Sequence, residues 1–455
     1  MLKIRLFIVI LSGFMLASLL SGCFSSKAAV GTKAEKSPVG QVSHKPKIDT
    51  IKFTEVDPAK HPPITNTPNK KTEPTVEKGI VTNFQSQFKE GYQIAGLFPM
   101  YSQKQMEIAK INDNVLRIIQ FYNGMKMGLE QLGNEGIKVS LSTFDIAGGD
   151  TVKTLLNKLP RKPDLIIGPY KTDNLVTVVE YANKNQIQVL SPWATPGTLG
   201  QVFSNIVYCK PSIKSHAEKA IQLLKSSCTD GKIIGVCRKS DVRQQNLWQS
   251  FKAVLVNNDI NVEECLLSDT INKIEMSALS SLIDGQKCNY IFLPYMYEDV
   301  TISQLLRKIN SVRNGRNVKV IGFESWLDLQ KCTPDLIMGS NIQFIAPYFY
   351  DKEDEKMNLF AKRYHNKFGC LPESEAFYGY DVMLWAGRMM KKYGTIWLGN
   401  GLNAPPPGEG YFQPFLFKKN ALMGNSADSD VEYFQNTKVQ AYEYKEFKFR
   451  PIETN

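Results

Sequence analysis

The chain has 455 residues, with 55 Lys and Arg against 44 Asp and Glu, and a formal charge of +11. That length exceeds what one hydrophobic core usually serves, so more than one globular part is expected. The basic residues are spread along the chain and form no long run, which argues for a solvated basic surface and against a nucleic-acid-binding arm.

Lys3 and Arg5 open the chain, and an apolar stretch follows over 6–20. It is shorter than the ~18–20 residues that span a bilayer, so it reads as a secretory signal, residues 1–22. Leu20-Ser21-Gly22-Cys23 has the form of a lipobox, where bacteria attach lipid to a cysteine and cut before it. Cys23 is therefore the expected lipidation site, and acyl chains there would hold the protein at a membrane surface. Phe24 follows, not Asp, so the expectation is an outer-membrane lipoprotein facing the periplasm.

Residues 23–90 read as the lipidated cysteine and a disordered tether. They are rich in Lys, Pro, Thr and Ser, as in Pro62-Pro63 and Lys70-Lys71, and have few large apolar residues. Such a segment cannot bury enough surface to offset the entropy of ordering.

From Tyr92 the texture changes, and short apolar runs alternate with amphipathic ones. Strands are expected at 93–99, 138–144, 164–169, 188–191, 205–209, 232–237, 261–267, 289–294, 318–323 and 342–347. Helices are expected at 112–132, 172–185, 212–224, 244–258, 276–283, 301–312, 356–368 and 374–393. The first helix carries Val115, Ile118, Ile119, Tyr122, Met125 and Leu129 at helical spacing. This alternation predicts an α/β chain of two Rossmann-like lobes, with parallel sheets flanked by helices. Beyond Ala404-Pro405-Pro406-Pro407-Gly408, the aromatic-rich stretches 411–417 and 438–449 read as a late hairpin packed on one lobe.

Seven cysteines remain beyond Cys23, an odd number, and none forms a Cys-x-x-Cys pair. One or two disulfides are possible, with no pairing readable from spacing. Metal and cofactor sites are not expected. Of four histidines, His44 and His61 lie in the tether, and His216 and His365 fall on helices. There is no His-Glu-x-x-His, no phosphate-binding Gly-rich loop ending in Lys, and no Gly-x-Ser-x-Gly. The expectation is a protein that binds and does not catalyse.

Several stretches taken in order carry a resemblance. They are Gly96-Leu97-Phe98-Pro99, Phe121-Tyr122-Asn123-Gly124, Phe144-Asp145, Asp164 to Pro169, Val189 to Pro196, Gly322 to Trp326, and Tyr378-Gly379-Tyr380-Asp381. Over about 91–400 the chain resembles the type I periplasmic-binding fold of leucine/isoleucine/valine-binding proteins and receptor ligand-binding regions. The resemblance implies two lobes joined by crossover strands, the first from 91–209 plus 350–400 and the second from 210–349 plus 410–450. It implies a small polar ligand, amino-acid-like or anionic, held between them, for delivery to an ABC transporter. Thr172, Trp193, Ala194 and Thr195 would face it from the first lobe, and Tyr297, Glu298 and Glu324 from the second. The family's tyrosine-glycine stretch after the strand that opens the second lobe is replaced by Arg238-Lys239-Ser240-Asp241-Val242-Arg243. Outer-membrane lipoproteins that activate penicillin-binding proteins share this plan, so an envelope protein partner in a ligand-free docking role is the alternative. Neither reading involves nucleic acid.

Overall fold

A computed structural model describes residues 85–455 except 103–112, 148–150, 171, 197–204, 229, 270–272, 297, 324, 327–330, 352, 398–407, 414, 423–430, 447 and 455. The signal segment, Cys23 and the tether up to residue 84 lie outside the described residues. No described helix is long and apolar enough to cross a membrane.

The first half alternates strand and helix as β1 Gly91–Phe98, α1 Asp113–Asn134, β2 Lys138–Asp145, α2 Val152–Asn157, β3 Leu165–Ile167, α3 Leu175–Lys184, β4 Gln188–Ser191 and β5 Ile206–Tyr208. The second half repeats the plan with α4 Ile213–Ser227, β6 Lys232–Arg238, α5 Val242–Val256, β7 Asn261–Leu267, α6 Lys273–Leu282, β8 Asn289–Phe292, α7 Asp299–Val312, β9 Val318–Phe323, α8 Pro334–Gly339 and β10 Ile342–Ala346. Then come α9 Glu355–Phe368, α10 Ser374–Tyr393, β11 Phe417–Leu422, β12 Val431–Asn436, β13 Gln440–Lys445 and β14 Lys448–Ile452. Each strand expected before residue 350 forms, within a few residues of its predicted ends. The short helices α2 and α8 are additions; each is capped by a threonine, Thr151 or Thr333, whose side chain accepts a backbone N–H.

Two mixed, mostly parallel sheets define two lobes. The first runs β11-β12-β5-β4-β3-β1-β2 and the second β14-β13-β10-β9-β8-β6-β7. In each, the opening strand lies between the next two in sequence, so chain direction across the sheet reverses beside it. Open α/β sheets bind ligands at such a switch point, outside the carboxyl ends of the strands. Central strands β3 and β8 are buried along their length, and β3 reads as a continuous apolar run, as a sheet covered on both faces requires.

The C-terminal strands correct one expectation. The stretch 410–450 does not belong wholly to the second lobe, and the described residues of 411–416 are not strand. Two hairpins form instead. β11 and β12 pair antiparallel, and β12 continues the first sheet through Phe434↔Val207 and Gln435↔Tyr208. β13 joins β10 of the second sheet, and β14 pairs with β13. Aromatic alternation marks a strand but not the sheet it joins, because either sheet edge offers the same unpaired backbone groups.

The chain passes between lobes at 209–212, 347–354 and 437–439. Helices α1 and α10 pack in the first lobe at unusually close range. A Cβ on Gly124 would stand 1.8 Å from the Ala376 carbonyl oxygen, and one on Gly379 would stand 2.0 Å from that of Phe121. The segment before β1 is stitched beneath this helix pair: the Ser86 hydroxyl donates to the Tyr393 carbonyl at 2.6 Å, and Lys89 meets Asp164 at 2.6 Å. This segment therefore lies at the amino edge of the first sheet, opposite the carboxyl ends of its parallel strands.

Candidate functional site

At the carboxyl edges of the sheets, loop backbone is held by side chains that sequence periodicity does not reveal. Asp145, at the end of β2, accepts N–H bonds from Met100, Ser102 and Ala147 at 2.7–2.9 Å and so shapes the loop after β1. After β3, Gly168 has φ 110°, and a Cβ there would meet the Leu97 carbonyl oxygen at 2.6 Å. Only glycine fits that turn, which delivers Pro169 and Tyr170 to the edge.

A cavity of about 670 Å3 lies between the lobes. The first lobe lines it with Arg117, Tyr170, Trp193, Glu375 and Tyr378. The second contributes Ser325, Tyr444, Lys448 and Phe449, the crossovers contribute Lys210, Tyr348, Phe349 and Tyr350, and Asn436 reaches it from the end of β12. The first two crossovers thus reach it.

Its walls are aromatic. Trp193 sits on Phe121 at 4.6 Å, Tyr170 at 5.0 Å and Phe98 at 6.0 Å between ring centroids. Tyr378 packs on Phe121 and stacks at 25° on Tyr348, and its hydroxyl donates to the Pro192 carbonyl at 2.7 Å. Burial holds that hydroxyl well above its ordinary pKa, so it stays a donor. Within the crossover, alternation splits the rings: Tyr348 and Tyr350 pack on the core of the first lobe, and Phe349 on that of the second. Phe349 meets Phe449 at 4.9 Å, and Phe449 meets Tyr444 at 4.6 Å.

Behind these rings lies a buried acid. Asp381 of α10 is wholly buried and accepts the N–H groups of Phe412 and Gln413 at 2.9 and 2.8 Å. Burial pushes its carboxyl up to about 7, against the pull of those two N–H donors. Gln413 in turn donates to the Phe349 carbonyl at 3.0 Å, which ties α10 to the middle crossover.

The residues expected to face a ligand are distributed unevenly. Trp193 lines the cavity, half-buried. Ala194 is buried beneath it, with its N–H on the Ser191 hydroxyl at 3.3 Å. Thr195 is half-buried and outside the lining. Thr172 opens a short 3-10 turn ahead of α3, and its side chain lies outside the described residues, as do Tyr297 and Glu324. Glu298 also stands outside the lining. It pairs with Arg238 at 2.8 Å and accepts from Gln244 at 3.1 Å, while Arg238 donates to the Thr301 hydroxyl at 2.7 Å. The basic loop that replaces the family pattern is thus partly spent within its own lobe.

Arg117, Glu375 and the aromatic crossover were not singled out from sequence. Arg117 and Glu375 are charged residues on helices and look like solvated surface. Tyr348-Phe349-Tyr350 directly after a buried strand was a readable signal, since an aromatic triplet at a strand end rarely serves one core alone. Among the described residues no cluster of His, Cys, Asp and Glu could hold a metal ion.

No family model matches the sequence, and no curated protein does. Solved structures match in fold. An ABC transporter substrate-binding protein from Desulfitobacterium hafniense, in complex with Leu, is 16% identical with a TM-score of 0.51, over 80% of this chain and 100% of its own. A putative branched-chain amino acid ABC transporter from Rhodospirillum rubrum is 15% identical with a TM-score of 0.58, over 80% of this chain and 100% of its own. Full-length LpoA from Haemophilus influenzae is 14% identical with a TM-score of 0.54, over 81% of this chain and 60% of its own.

Proposed function

We propose that this protein, which has the type I periplasmic-binding fold, captures a small solute between its lobes and performs no chemistry on it. One observation carries the reading: a cavity of about 670 Å3 is lined from both lobes and from two of the crossovers between them. A molecule held there touches both halves at once, so its binding favours the conformation in which they approach. The size lies within the usual range of small-molecule sites, ~300–1,000 Å3. The transporter proteins among the structural neighbours support delivery to an ABC transporter as the role. The test is thermal denaturation and small-angle scattering of the full chain with amino acids, short peptides, sugars and carboxylates. A higher midpoint and a smaller radius of gyration with one class are expected; a flat response to every class sinks the reading.

The likeness to LpoA favours a second reading, in which the same lobes dock an envelope protein. Crosslinking in intact cells would then capture one partner reproducibly while the solute panel stays silent. Solute binding without such a partner removes this reading.

The envelope location rests on Leu20-Ser21-Gly22-Cys23, with Phe24 favouring the outer membrane. The Cys228–Cys288 disulfide suits an oxidising compartment. The Cys23→Ala variant is expected to lose incorporation of labelled fatty acid. Undiminished labelling would overturn anchoring at this residue.

A further inference from the structure

Resting on the solute-binding reading, we propose that the cavity takes a zwitterionic ligand with aromatic rings, of the chemistry of an aromatic dipeptide. Size comes first. With the lobes arranged as they are, 670 Å3 lies in the upper part of the usual range for small-molecule sites, ~300–1,000 Å3, which leaves room for a ligand larger than one branched-chain amino acid. Walls come second. The half-buried rings of Tyr170 and Trp193 face the cavity from one side, and those of Tyr444 and Phe449 from the other. Two separate platforms suit a ligand with two flat groups, because ring pairs gain from offset or edge contacts beyond their buried area.

Charge comes third. The lining holds Arg117, Lys210 and Lys448 against Asp351, Glu353 and Glu375, three of each sign. A net anion or cation therefore meets no net attraction. Arg117 and Glu375 lie 4.0 Å apart, a juxtaposition that suits a molecule carrying both signs. Hydrogen-bonding capacity comes fourth and disfavours a sugar. Ser325 donates to the Met296 carbonyl at 2.7 Å, Tyr378 to that of Pro192 at 2.7 Å, Gln413 to that of Phe349 at 3.0 Å, and Asn436 to that of Cys209 at 3.0 Å. These lining donors already serve backbone, whereas a polyhydroxylated ligand needs many uncommitted ones.

Trp193 makes the proposal measurable, since Trp248, Trp326, Trp385 and Trp397 are all at most 2% exposed. A ligand ring against it changes the emission of the one accessible indole. The full chain is titrated with phenylalanyl-phenylalanine, leucyl-leucine, leucine and maltose, by calorimetry and tryptophan emission together. Phenylalanyl-phenylalanine is expected to bind roughly tenfold more tightly than leucyl-leucine, the gain of about two ring contacts, and to shift the emission. Trp193→Ala should abolish the emission shift and weaken binding. Trp193→Phe, which keeps a ring on Phe121, should bind within about threefold of the parent. Tighter binding of leucine or maltose overturns the ligand class and leaves the solute-binding reading standing. Silence from all four overturns the ligand class; the wider solute panel then decides that reading. Parent-like affinity in Trp193→Ala, with its fold verified by circular dichroism, overturns ring recognition at this wall.

Discussion

The two lobes repeat one strand order and are held together by different means. In the first, α1 and α10 touch backbone to backbone across Gly124 and Gly379, and the sheet carries separate cores on its two faces. In the second, a single continuous core surrounds the sheet. Trp248 lies over Gly235, Phe251 stacks on Phe292 at 3.9 Å, and the Cys228–Cys288 disulfide joins the end of α4 to the start of β8. Their carboxyl edges differ as well. The first presents Tyr170 and Trp193 to the cavity, while the second binds Arg238, Gln244 and Glu298 to one another. Shared topology positions the cavity, but the loops decide which residues of each edge line it: the second lobe does so with Ser325 after β9 and with the hairpin residues Tyr444 and Phe449, while its β6 loop pairs internally.

The largest expected effect tests how separately the lobes are held. The disulfide closes a loop with a sequence separation of 60, and its loss should cost about 4 kcal/mol by chain entropy. In Cys288→Ser, hydrogen exchange should quicken in α4 and β8 and stay unchanged in α1 and α10. Gly379→Ala should do the reverse, at roughly 3 kcal/mol, since the added methyl forces two helix backbones apart. Equal acceleration in both lobes for either variant would break the contrast.

The next effect concerns the seam. Asp381 has a folded pKa of about 7 against an ordinary 3.8, raised by burial. Its contribution is complete below about pH 4, where it is protonated folded or unfolded, and is lost as pH rises through 7. Denaturation midpoints of the parent should therefore fall between pH 4 and 7, by a few kcal/mol in stability terms. Asp381→Asn should flatten that slope. A parent curve that rises over the window would place the charge elsewhere.

The smallest effect separates the two edges. Glu298→Gln should lower stability by about 1 kcal/mol, the scale of a partly exposed ion pair. Ligand affinity should stay within about twofold, because the side chain faces Arg238 and not the cavity. A tenfold loss measured by calorimetry would mean that Arg238 and Glu298 part to meet the ligand.

Much of the fold was legible in the residues, because strand and helix periods are local. Val115, Ile118, Tyr122 and Met125 mark one helix face wherever the helix packs. Apolar runs such as Leu165-Ile166-Ile167 announce a strand covered on both sides. Of the residues expected to face a ligand, Trp193 is the one that lines the described cavity, in a loop whose neighbours carry the family resemblance. Arg117 and Glu375 lie far apart in the chain and look like ordinary helix surface. Glu298 looked available until its partner Arg238, sixty residues earlier, was placed beside it.

By itself, the sequence determined the alternation of elements, the two-lobed α/β plan and the absence of recognisable catalytic motifs, since each depends on residues within a few positions of one another. Tertiary structure alone decided which sheet received each C-terminal hairpin, which two cysteines met, and which rings from the two lobes and the middle crossover surround one cavity. Those outcomes depend on groups distant along the chain competing for the same space and the same partners, and no local pattern encodes who wins.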